Sequence, residues 1–268
     1  MGLSIIGSDR FLNAVVGQEV AAATRREGKL HTAFPALRTN ELAGNGYTDH
    51  DLMSSDFSVE TVSSYRRLKF PDMEFFNAGE DDSQSGDAFG FWLDGDLIWD
   101  DPVSAVPMLN VPLVSVESFI GVLLSHSSIV LTEEGMDRGL KALAGDAFAE
   151  EDMFWELHSG SGVPTAATRL TGGGVDGAPT AGWIFASVAG HRRASQGAIT
   201  FVTALSADTD AEPTIVGLWR GRPEESGVLH AYRNITPTDM TAAGDSITFS
   251  NRRLYIEINL DGVEPATT

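Results

Sequence analysis

The sequence predicts a mainly β protein, built as two tandem units of β-sandwich or jelly-roll type that each open with a short α-helix. The chain has 268 residues, which suits two domains of about 130 residues each. Short segments of the first half return in the second half at nearly constant spacing. Segments rich in β-branched and aromatic residues, bounded by turn residues, occur in both halves.

Four short matches share the same order and an offset of 127 or 128 residues. They are FLNAVVG (11–17) with GLKALAG (139–145), Leu-His (30–31) with Leu-His (157–158), Gly-x-Gly (44–46) with Gly-x-Gly (172–174), and Gly-x-Trp (90–92) with Gly-x-Trp (217–219). Such periodicity indicates a repeated structural unit. We therefore divide the chain into an N-terminal unit, residues 1–128, and a C-terminal unit, residues 129–268.

Each unit is predicted to open with a helix. In the C-terminal unit, Thr132 is the expected N-cap because two glutamates follow it, and Gly145 stands where the helix should end with positive φ. In the N-terminal unit, Ser8 or Asp9 is the expected N-cap and Gly17 the expected end.

The rest of each unit is predicted to be β-structure. Residues 197–205 and 245–260 have the β-branched and aromatic content of strands, and 254–259 alternate apolar and polar side chains. Residues 77–88 are predicted to form a surface loop, and 220–227 a longer, charged loop.

A hairpin is predicted around the Asp-Gly turn at 94–95. This register places Trp92 opposite Leu97 and Phe91 opposite Ile98. Because neighbouring residues of a strand point to opposite faces, the hairpin carries apolar side chains on both faces. One face is expected to join the domain core, and the other to be covered by a neighbouring unit or subunit or to be left as an exposed patch. We take this as evidence for assembly.

Charge and composition exclude some classes of function. The formal net charge is −20, so the chain repels phosphate backbones and nucleic-acid binding is not expected. The acid-rich, lysine-poor composition is typical of proteins from salt-loving archaea and their viruses; an acidic protein from an ordinary organism is the alternative. Absence of cysteine rules out disulfides and thiolate sites. Apolar runs are too short to span a bilayer, and no signal peptide is expected.

Several segments of the C-terminal unit together resemble the tail fibre or minor virion structural domains of tailed phages. They are LTEEGMDRGLKALAG, LHSGSGVPTAATRLTGGG, AITFVTALS and GLWRGRPEESGVLHAYRNITPTDMTAAGDSITFSNRRLYIEINLDG. The N-terminal unit keeps LHT, ELAGNGY, KFP and GFW, but it lacks the Ala-Gly-Asp step. After the glycine turn, the N-terminal unit has the aromatic Tyr47, whereas the C-terminal unit has Val175. The resemblance implies a component of the virion surface or tail. Its motifs are structural, so it implies no catalytic, cofactor-binding or metal-binding residue.

Motifs for catalysis and ligand binding are weak. Glycines at 172, 174 and 177 have dinucleotide-binding spacing, but no apolar strand precedes them and Ala-Pro follows where a helix should start. His31 and His158 are equivalent by repeat, and each is expected to end a strand beside the core. The other histidines considered, at 126, 191 and 230, show no metal spacing.

Two acidic clusters could supply oxygen ligands to a divalent cation or form a solvated acidic face. One comprises Asp94, Asp96, Asp100 and Asp101, and the other comprises Asp208, Asp210 and Glu212. Neither follows the helical calcium-loop pattern, so a solvated face is the expected role and no cofactor is predicted. Paired carboxylates of a glycosidase are a further alternative.

The sequence thus predicts a non-enzymatic virion structural protein of a tailed virus, placed as a head turret, head fibre, tail fibre or baseplate component. We expect a homo-oligomer, a trimer by analogy with surface fibres, that contacts other virion proteins. The N-terminal unit is the expected anchor because it has diverged further and holds the apolar run 106–116. A receptor-binding module that contacts a host glycan or glycoprotein through loops 160–169, 176–182 and 220–227 is the alternative, and a glycan-degrading enzyme is a third hypothesis.

Overall fold

The computed structural model describes residues 2–42, 49–62, 65–71, 73–75, 85–107, 114–116, 119–123, 130–170, 177–188, 190–202, 212–237, 240, 244–250 and 253–259. It confirms a mainly β chain, with 45% strand and 18% helix. The two α-helices of the described residues stand near the start of the two units, as predicted.

The helices and strands follow the same order in both units. In the N-terminal unit they are β1 (Gly2–Leu3), α1 (Ile5–Val15), β2 (Arg26–His31), β3 (His50–Asp51), β4 (Ser58–Val62), β5 (Tyr65–Lys69), β6 (Met73–Phe75), β7 (Ser85–Leu93), β8 (Asp96–Pro107), β9 (Val114–Val116) and β10 (Phe119–Leu123). In the C-terminal unit they are β11 (Val130–Leu131), α2 (Glu133–Leu143), β12 (Met153–His158), β13 (Ala178–Pro179), β14 (Ile184–Val188), β15 (His191–Ser195), β16 (Ile199–Val202), β17 (Ile215–Arg220), β18 (Val228–Asn234), β19 (Ser246–Phe249) and β20 (Tyr255–Asn259).

Strand pairing also repeats. The five-stranded sheet has the order β1-β8-β7-β2-β3 in the N-terminal unit and β11-β18-β17-β12-β13 in the C-terminal unit. The three-stranded sheets β10-β5-β4 and β20-β15-β14, and the pairs β6-β9 and β16-β19, correspond in the same way. Adding ten to a strand number in the N-terminal unit therefore gives its counterpart. The sandwich or jelly-roll class and the unit boundary remain predictions.

Several segments that the sequence predicts as strands or loops can be placed. Residues 197–205 contain β16, and 245–260 contain two strands, β19 and β20. The charged loop 220–227 includes a short 3-10 turn. Residues 77–84 and 108–113, which hold most of the predicted surface loop and of the apolar run, lie outside the described residues.

Hydroxyl side chains cap both helices. Thr132 caps α2 as predicted, and its side chain accepts a hydrogen bond from the third helical residue. The prediction for α1 was wrong: Ser4 is the N-cap, and its Oγ accepts from the backbone of Gly7 at 3.0 Å. Ser8 is buried inside α1 and its hydroxyl donates to the carbonyl of Ser4. Asp9 likewise lies within the helix. The prediction missed the helix start because the helix begins with two isoleucines, which are more typical of a strand.

The 94–95 hairpin has the predicted turn but only half of the predicted register. Trp92 pairs with Leu97, whereas Phe91 pairs with Trp99 because an irregularity falls between residues 91 and 92. Both faces are covered within the chain: Trp92 stacks on His31, while Phe91 and Trp99 are almost fully buried. This hairpin therefore leaves no exposed apolar face that argues for a second subunit, and the homo-oligomer remains a prediction.

Aromatic side chains fill the space between the large sheet and the smaller strands of the N-terminal unit. The ring centroid of Phe70 lies 4.9 Å from that of Phe91 and 5.7 Å from that of Trp99. The ring centroids of Phe75 and Phe89 are 6.4 Å apart. Such offset and edge contacts contribute beyond area burial. The core cluster that contains these rings also contains buried side chains of the C-terminal unit, so the apolar core is continuous across the two units.

The two units are joined by contacts that occur twice with the roles exchanged. The guanidinium of Arg138 on α2 donates to the carbonyl of Ala14 on α1 at 2.7 Å. Its counterpart in the N-terminal unit, Arg10, donates to the carbonyl of Ala142 on α2 at 3.1 Å. In both cases an arginine of one helix satisfies a carbonyl near the C-terminus of the other, where helical carbonyls lack intrahelical partners.

Ion pairs repeat the exchange. Asp9 on α1 pairs with Arg192 on β15 of the C-terminal unit, with Nε and Oδ1 2.6 Å apart. The equivalent Asp137 on α2 pairs with Arg66 on β5 of the N-terminal unit, with Nη2 and Oδ2 2.7 Å apart. Both pairs are bidentate, which fixes the orientation of each guanidinium.

A residue and its own counterpart meet at the centre of the contact. The backbone of Val20 donates to Phe148 at 2.8 Å, and the backbone of Phe148 donates back at 2.9 Å. These positions are 128 residues apart. Reciprocal contacts between equivalent positions are what a two-fold axis produces, so the two units are related by an approximate two-fold axis that passes between these residues.

Candidate functional site

A buried histidine–tryptophan pair occurs in each unit. The indole Nε1–H of Trp92 donates to Nε2 of His31 at 3.3 Å, and that of Trp219 donates to Nε2 of His158 at 3.0 Å. The rings are stacked with centroids 5.8 and 5.6 Å apart. Each histidine ends its strand and has no exposed surface, in agreement with the predicted equivalence and position beside the core.

Both ring nitrogens of each histidine are occupied. Because Nε2 accepts from tryptophan, Nδ1 carries the proton. In His31 it lies 3.1 Å from the carbonyl of Leu37 and from Oδ1 of Asn40. In His158 it lies 3.2 Å from Oγ1 of Thr168. These hydrogen bonds fasten the loop after the strand to the strand itself, so the geometry gives the histidines a structural role.

The surroundings of the two imidazoles disfavour the charged form. Burial lowers the pKa of His31. Burial, assisted by the positive charge of Arg169, lowers the pKa of His158 to about 4. A proton on Nε2 would also replace the acceptor that the indole requires.

Each pair is shaped by a glycine that lies two residues before the tryptophan on the same strand. A Cβ at Gly90 would lie 2.7 Å from the indole nitrogen of Trp92 and 2.8 Å from Nε2 of His31. A Cβ at Gly217 would lie 2.8 Å from the indole nitrogen of Trp219. The repeated Gly-x-Trp motif therefore follows from steric need, and only glycine leaves room for the hydrogen bond.

A salt bridge closes the loop after the histidine in both units, with its polarity reversed. In the N-terminal unit, Lys29 on β2 lies 2.9 Å from Glu41. At the equivalent positions of the C-terminal unit, Glu156 on β12 lies 2.8 Å from Arg169. Lys29 also pairs with Asp49. Burial by itself lowers the pKa of Lys29, but the carboxylates of Asp49 and Glu41 outweigh it and hold that pKa above its ordinary value.

The carboxylates of the first acidic cluster, on the 94–95 hairpin, differ in exposure: Asp94 and Asp96 are exposed, whereas Asp100 is buried. The carboxylate of Asp94 accepts from the hydroxyl and backbone of Thr24 and from the backbone of Arg25, and these hydrogen bonds lower its pKa. Asp100 is buried and accepts from the backbone of Ala36 at 3.1 Å. Within the described residues, no three histidine, aspartate or glutamate side chains are placed to hold a metal ion.

Another buried histidine lies between the units. The Nδ1 of His230 on β18 is 2.7 Å from the carbonyl of Val15, the last residue of α1, and the ring is fully buried. Because a carbonyl can only accept, Nδ1 carries the proton. Burial lowers the pKa of His230 to about 4. His191 lies half-buried in β15.

Some predicted features cannot be placed. His126, Asp208, Asp210, the glycines at 44, 46, 172 and 174, and the aromatic-to-valine difference at 47 and 175 lie outside the described residues. Gly177 is described, and a Cβ there would overlap the carboxylate of Glu156. That glycine is therefore explained by packing against β12.

Among the described residues, the two units differ in surface character at the first turn of their helices. Ile5 and Ile6 open α1 and are 53% and 45% exposed. The equivalent residues of α2 are Glu133 and Glu134, which favour a helix N-terminus and water. The sequence already contained this difference, but the N-cap predicted at Ser8 or Asp9 placed both isoleucines outside the helix.

Exposed apolar side chains are concentrated in the N-terminal unit. Among the described residues, five large exposed hydrophobic side chains lie in that unit and three smaller ones, all valines, lie in the other. They are Ile5, Ile6, Phe34, Leu37 and Met53, against Val163, Val188 and Val202.

No helix in the described part of the chain is both long enough and apolar enough to cross a membrane. Comparison of the chain with protein-family models, with curated proteins and with solved structures gives no match in any of the three.

Proposed function

We propose that this chain is a non-enzymatic structural protein of a tailed virus that attaches to the particle through its N-terminal unit. The observation that carries the attachment is the start of α1, where Ile5 and Ile6 are exposed at positions occupied by glutamates in the C-terminal unit. Two copies of one unit provide an internal comparison, because the same fold accepts charged residues at these positions. Two exposed isoleucines at a helix N-terminus therefore reflect a requirement beyond folding.

Other features support a structural role. The resemblance of the C-terminal unit to tail fibre and minor virion domains rests on motifs that shape the chain. The histidine–tryptophan pair of each unit is engaged in hydrogen bonds, and Gly90 and Gly217 pack closely against these pairs. The projecting protein is placed as a head turret, head fibre, tail fibre or baseplate component, and its partner at the isoleucines is another virion protein.

Replacement of both isoleucines tests the attachment. About half of each isoleucine side chain is exposed in the free protein. Burying this surface on attachment should contribute about 1 kcal/mol of binding free energy per residue, and about 2 kcal/mol for the pair. Ile5→Glu/Ile6→Glu should therefore weaken binding to particles that lack the protein by about 30-fold. The fold should be retained, because acidic residues at this position are favourable.

Glu133→Gln/Glu134→Gln provides the matched control at the equivalent positions of the C-terminal unit. It should bind particles as the parent does, and both variants should keep the parent's circular dichroism spectrum. Equal particle binding by the parent and Ile5→Glu/Ile6→Glu would exclude this face as the attachment site.

A host-binding role for the C-terminal unit is the second candidate. Gly160, Gly162 and Gly182 adopt positive φ, and a Cβ at each would meet nothing within 4 Å. Side chains at these three positions would therefore enter open space, and Val163, next to Gly162, is 60% exposed. Purified protein should then bind host cells and compete with virions; failure to do either would remove this role while leaving the structural one intact.

A further inference from the structure

The contact between the two units is self-complementary in most of its parts. The arginine–carbonyl, aspartate–arginine and central backbone contacts all occur twice with the roles exchanged. In an isologous interface the same patch is used on both sides. Each unit thus carries a surface that could in principle accept a second copy of the same unit.

One pair of equivalent residues departs from this symmetry. Phe11 on α1 is fully buried and faces Gly139 on α2, which is its own counterpart 128 positions later. A Cβ at Gly139 would lie 2.5 Å from Cδ2 and 2.7 Å from Cζ of the Phe11 ring. The phenyl ring therefore fits against the glycine as a knob in a hole, and no side chain can be added to the glycine without moving the ring.

A second departure lies beside the first. Arg26 at the start of β2 donates to the carbonyls of Ala144 and Gly145 at the end of α2, at 2.7 and 2.9 Å. Its counterpart in the C-terminal unit is Met153, which approaches Gly17 at the end of α1. The guanidinium of Arg26 thus donates to carbonyls at the end of α2, whereas the apolar side chain of Met153 packs at the end of α1.

We propose that Phe11 and Gly139 form a specificity pair that makes an N-terminal unit select a C-terminal unit and reject a second copy of itself. In a pair of two N-terminal units, two phenyl rings would occupy one space. In a pair of two C-terminal units, two glycines would face each other across a void of phenyl size, and Met153 would leave the helix carbonyls without a donor. Both like pairs carry a cost, which is how partner choice is enforced.

The consequence is that the self-complementary surfaces are used up within the chain. Because the N-terminal unit prefers the C-terminal unit, two chains do not join through a pair of N-terminal units or a pair of C-terminal units. Any assembly of several chains must then use other surfaces, and the exposed residues of the N-terminal unit are available for that purpose.

Exchange of the two residues in the full chain tests the pair. Phe11→Gly leaves a void and Gly139→Phe creates an overlap, so each is expected to lower the melting temperature by about 10 °C. Phe11→Gly/Gly139→Phe moves the knob to the other helix and should regain most of that loss. Recovery of this kind is non-additivity between residues in contact. The proposal would be overturned if the exchanged variant lost as much melting temperature as the two single variants together, or more.

Selectivity is measured on the full chain carrying a protease site inserted within residues 124–129. The cleaved protein is dissociated in urea and allowed to reassociate, and the three possible pairs are separated by mass. The parent should give unlike pairs in at least ten-fold excess over like pairs. Phe11→Ala/Gly139→Ala, which makes the two helices equal at this position, should give like pairs as well. A statistical mixture from the parent, or no reassociation of its two halves, would overturn the proposal.

Discussion

Lowering the pH from 7 to 5 is expected to destabilise the folded chain through its buried imidazoles. His158 and His230 are fully buried, and burial lowers the pKa of each to about 4, against an ordinary value of 6.5. Because the folded-state pKa is depressed, the stabilisation is complete above pH 6.5. It is lost as the pH falls toward 4, since the unfolded chain binds protons that the folded chain does not.

The magnitude follows from the two pKa values. With 6.5 in the unfolded chain and about 4 in the folded chain, one histidine lowers the free energy of unfolding by about 2 kcal/mol between pH 7 and pH 5. His158 and His230 together give about 4 kcal/mol. Burial of His31 acts in the same direction. This is a large part of the 5–15 kcal/mol that is typical of folded proteins.

Urea unfolding at several pH values between 7 and 5 measures this loss. The ionic strength should be high and constant, so that repulsion from the net charge of −20 does not contribute to the pH dependence. His158→Gln removes one titrating group and serves as the matched variant, because its own destabilisation is independent of pH. It should lose about half of the slope that His158 and His230 provide. A flat profile for the parent, or an equal slope in both proteins, would refute the reasoning.

Three further predictions concern the repeated features and the charge. Gly217→Ala should lower the free energy of unfolding by about 2 kcal/mol, because the Cβ would lie 2.8 Å from the indole nitrogen of Trp219. Gly197→Ala is the control and should be neutral, because its Cβ would meet nothing within 4 Å. Equal melting temperatures of the two variants would contradict this prediction. Glu156→Lys leaves two buried cations facing each other and should lower the free energy of unfolding by about 3 kcal/mol. Adding Arg169→Glu recreates the polarity of the N-terminal ion pair and should recover most of that loss, as measured by urea unfolding. The halophilic interpretation predicts a melting temperature that rises with salt toward molar concentrations; full stability at low ionic strength would count against it.

Local signals in the sequence were sufficient for one helix and misleading for the other. Thr132 followed by two glutamates is a strong helix start, and it is the N-cap of α2. At the other helix, Ser4 is followed by two isoleucines, which favour a strand by propensity. The helix forms there because Ser4 also donates its hydroxyl to the carbonyl of Leu97 and its backbone to Ile98, and such long-range contacts are invisible in a local pattern.

The hairpin shows a similar limit. The Asp-Gly turn fixed the pairing of Trp92 with Leu97, but an irregularity one residue further moved Phe91 onto Trp99. A bulge depends on how the strand packs against its neighbours, and its position cannot be read from alternation alone.

The internal repeat was the most informative signal. It correctly predicted that His31 and His158 have equivalent places, although the tryptophan partners became evident only from the strand pairing. The reciprocal contacts of Arg10 and Arg138 could not be foreseen, because the sequence does not say which face of one unit meets the other.

Imaging of virus particles with this protein labelled tests the proposed function most directly. A gold label on its C-terminus should appear on the outside of the particle, at the head or at the tail, and it should disappear from particles supplied only with Ile5→Glu/Ile6→Glu protein. Purified particles that carry no label, together with unattached protein in the infected cell, would contradict a virion structural role.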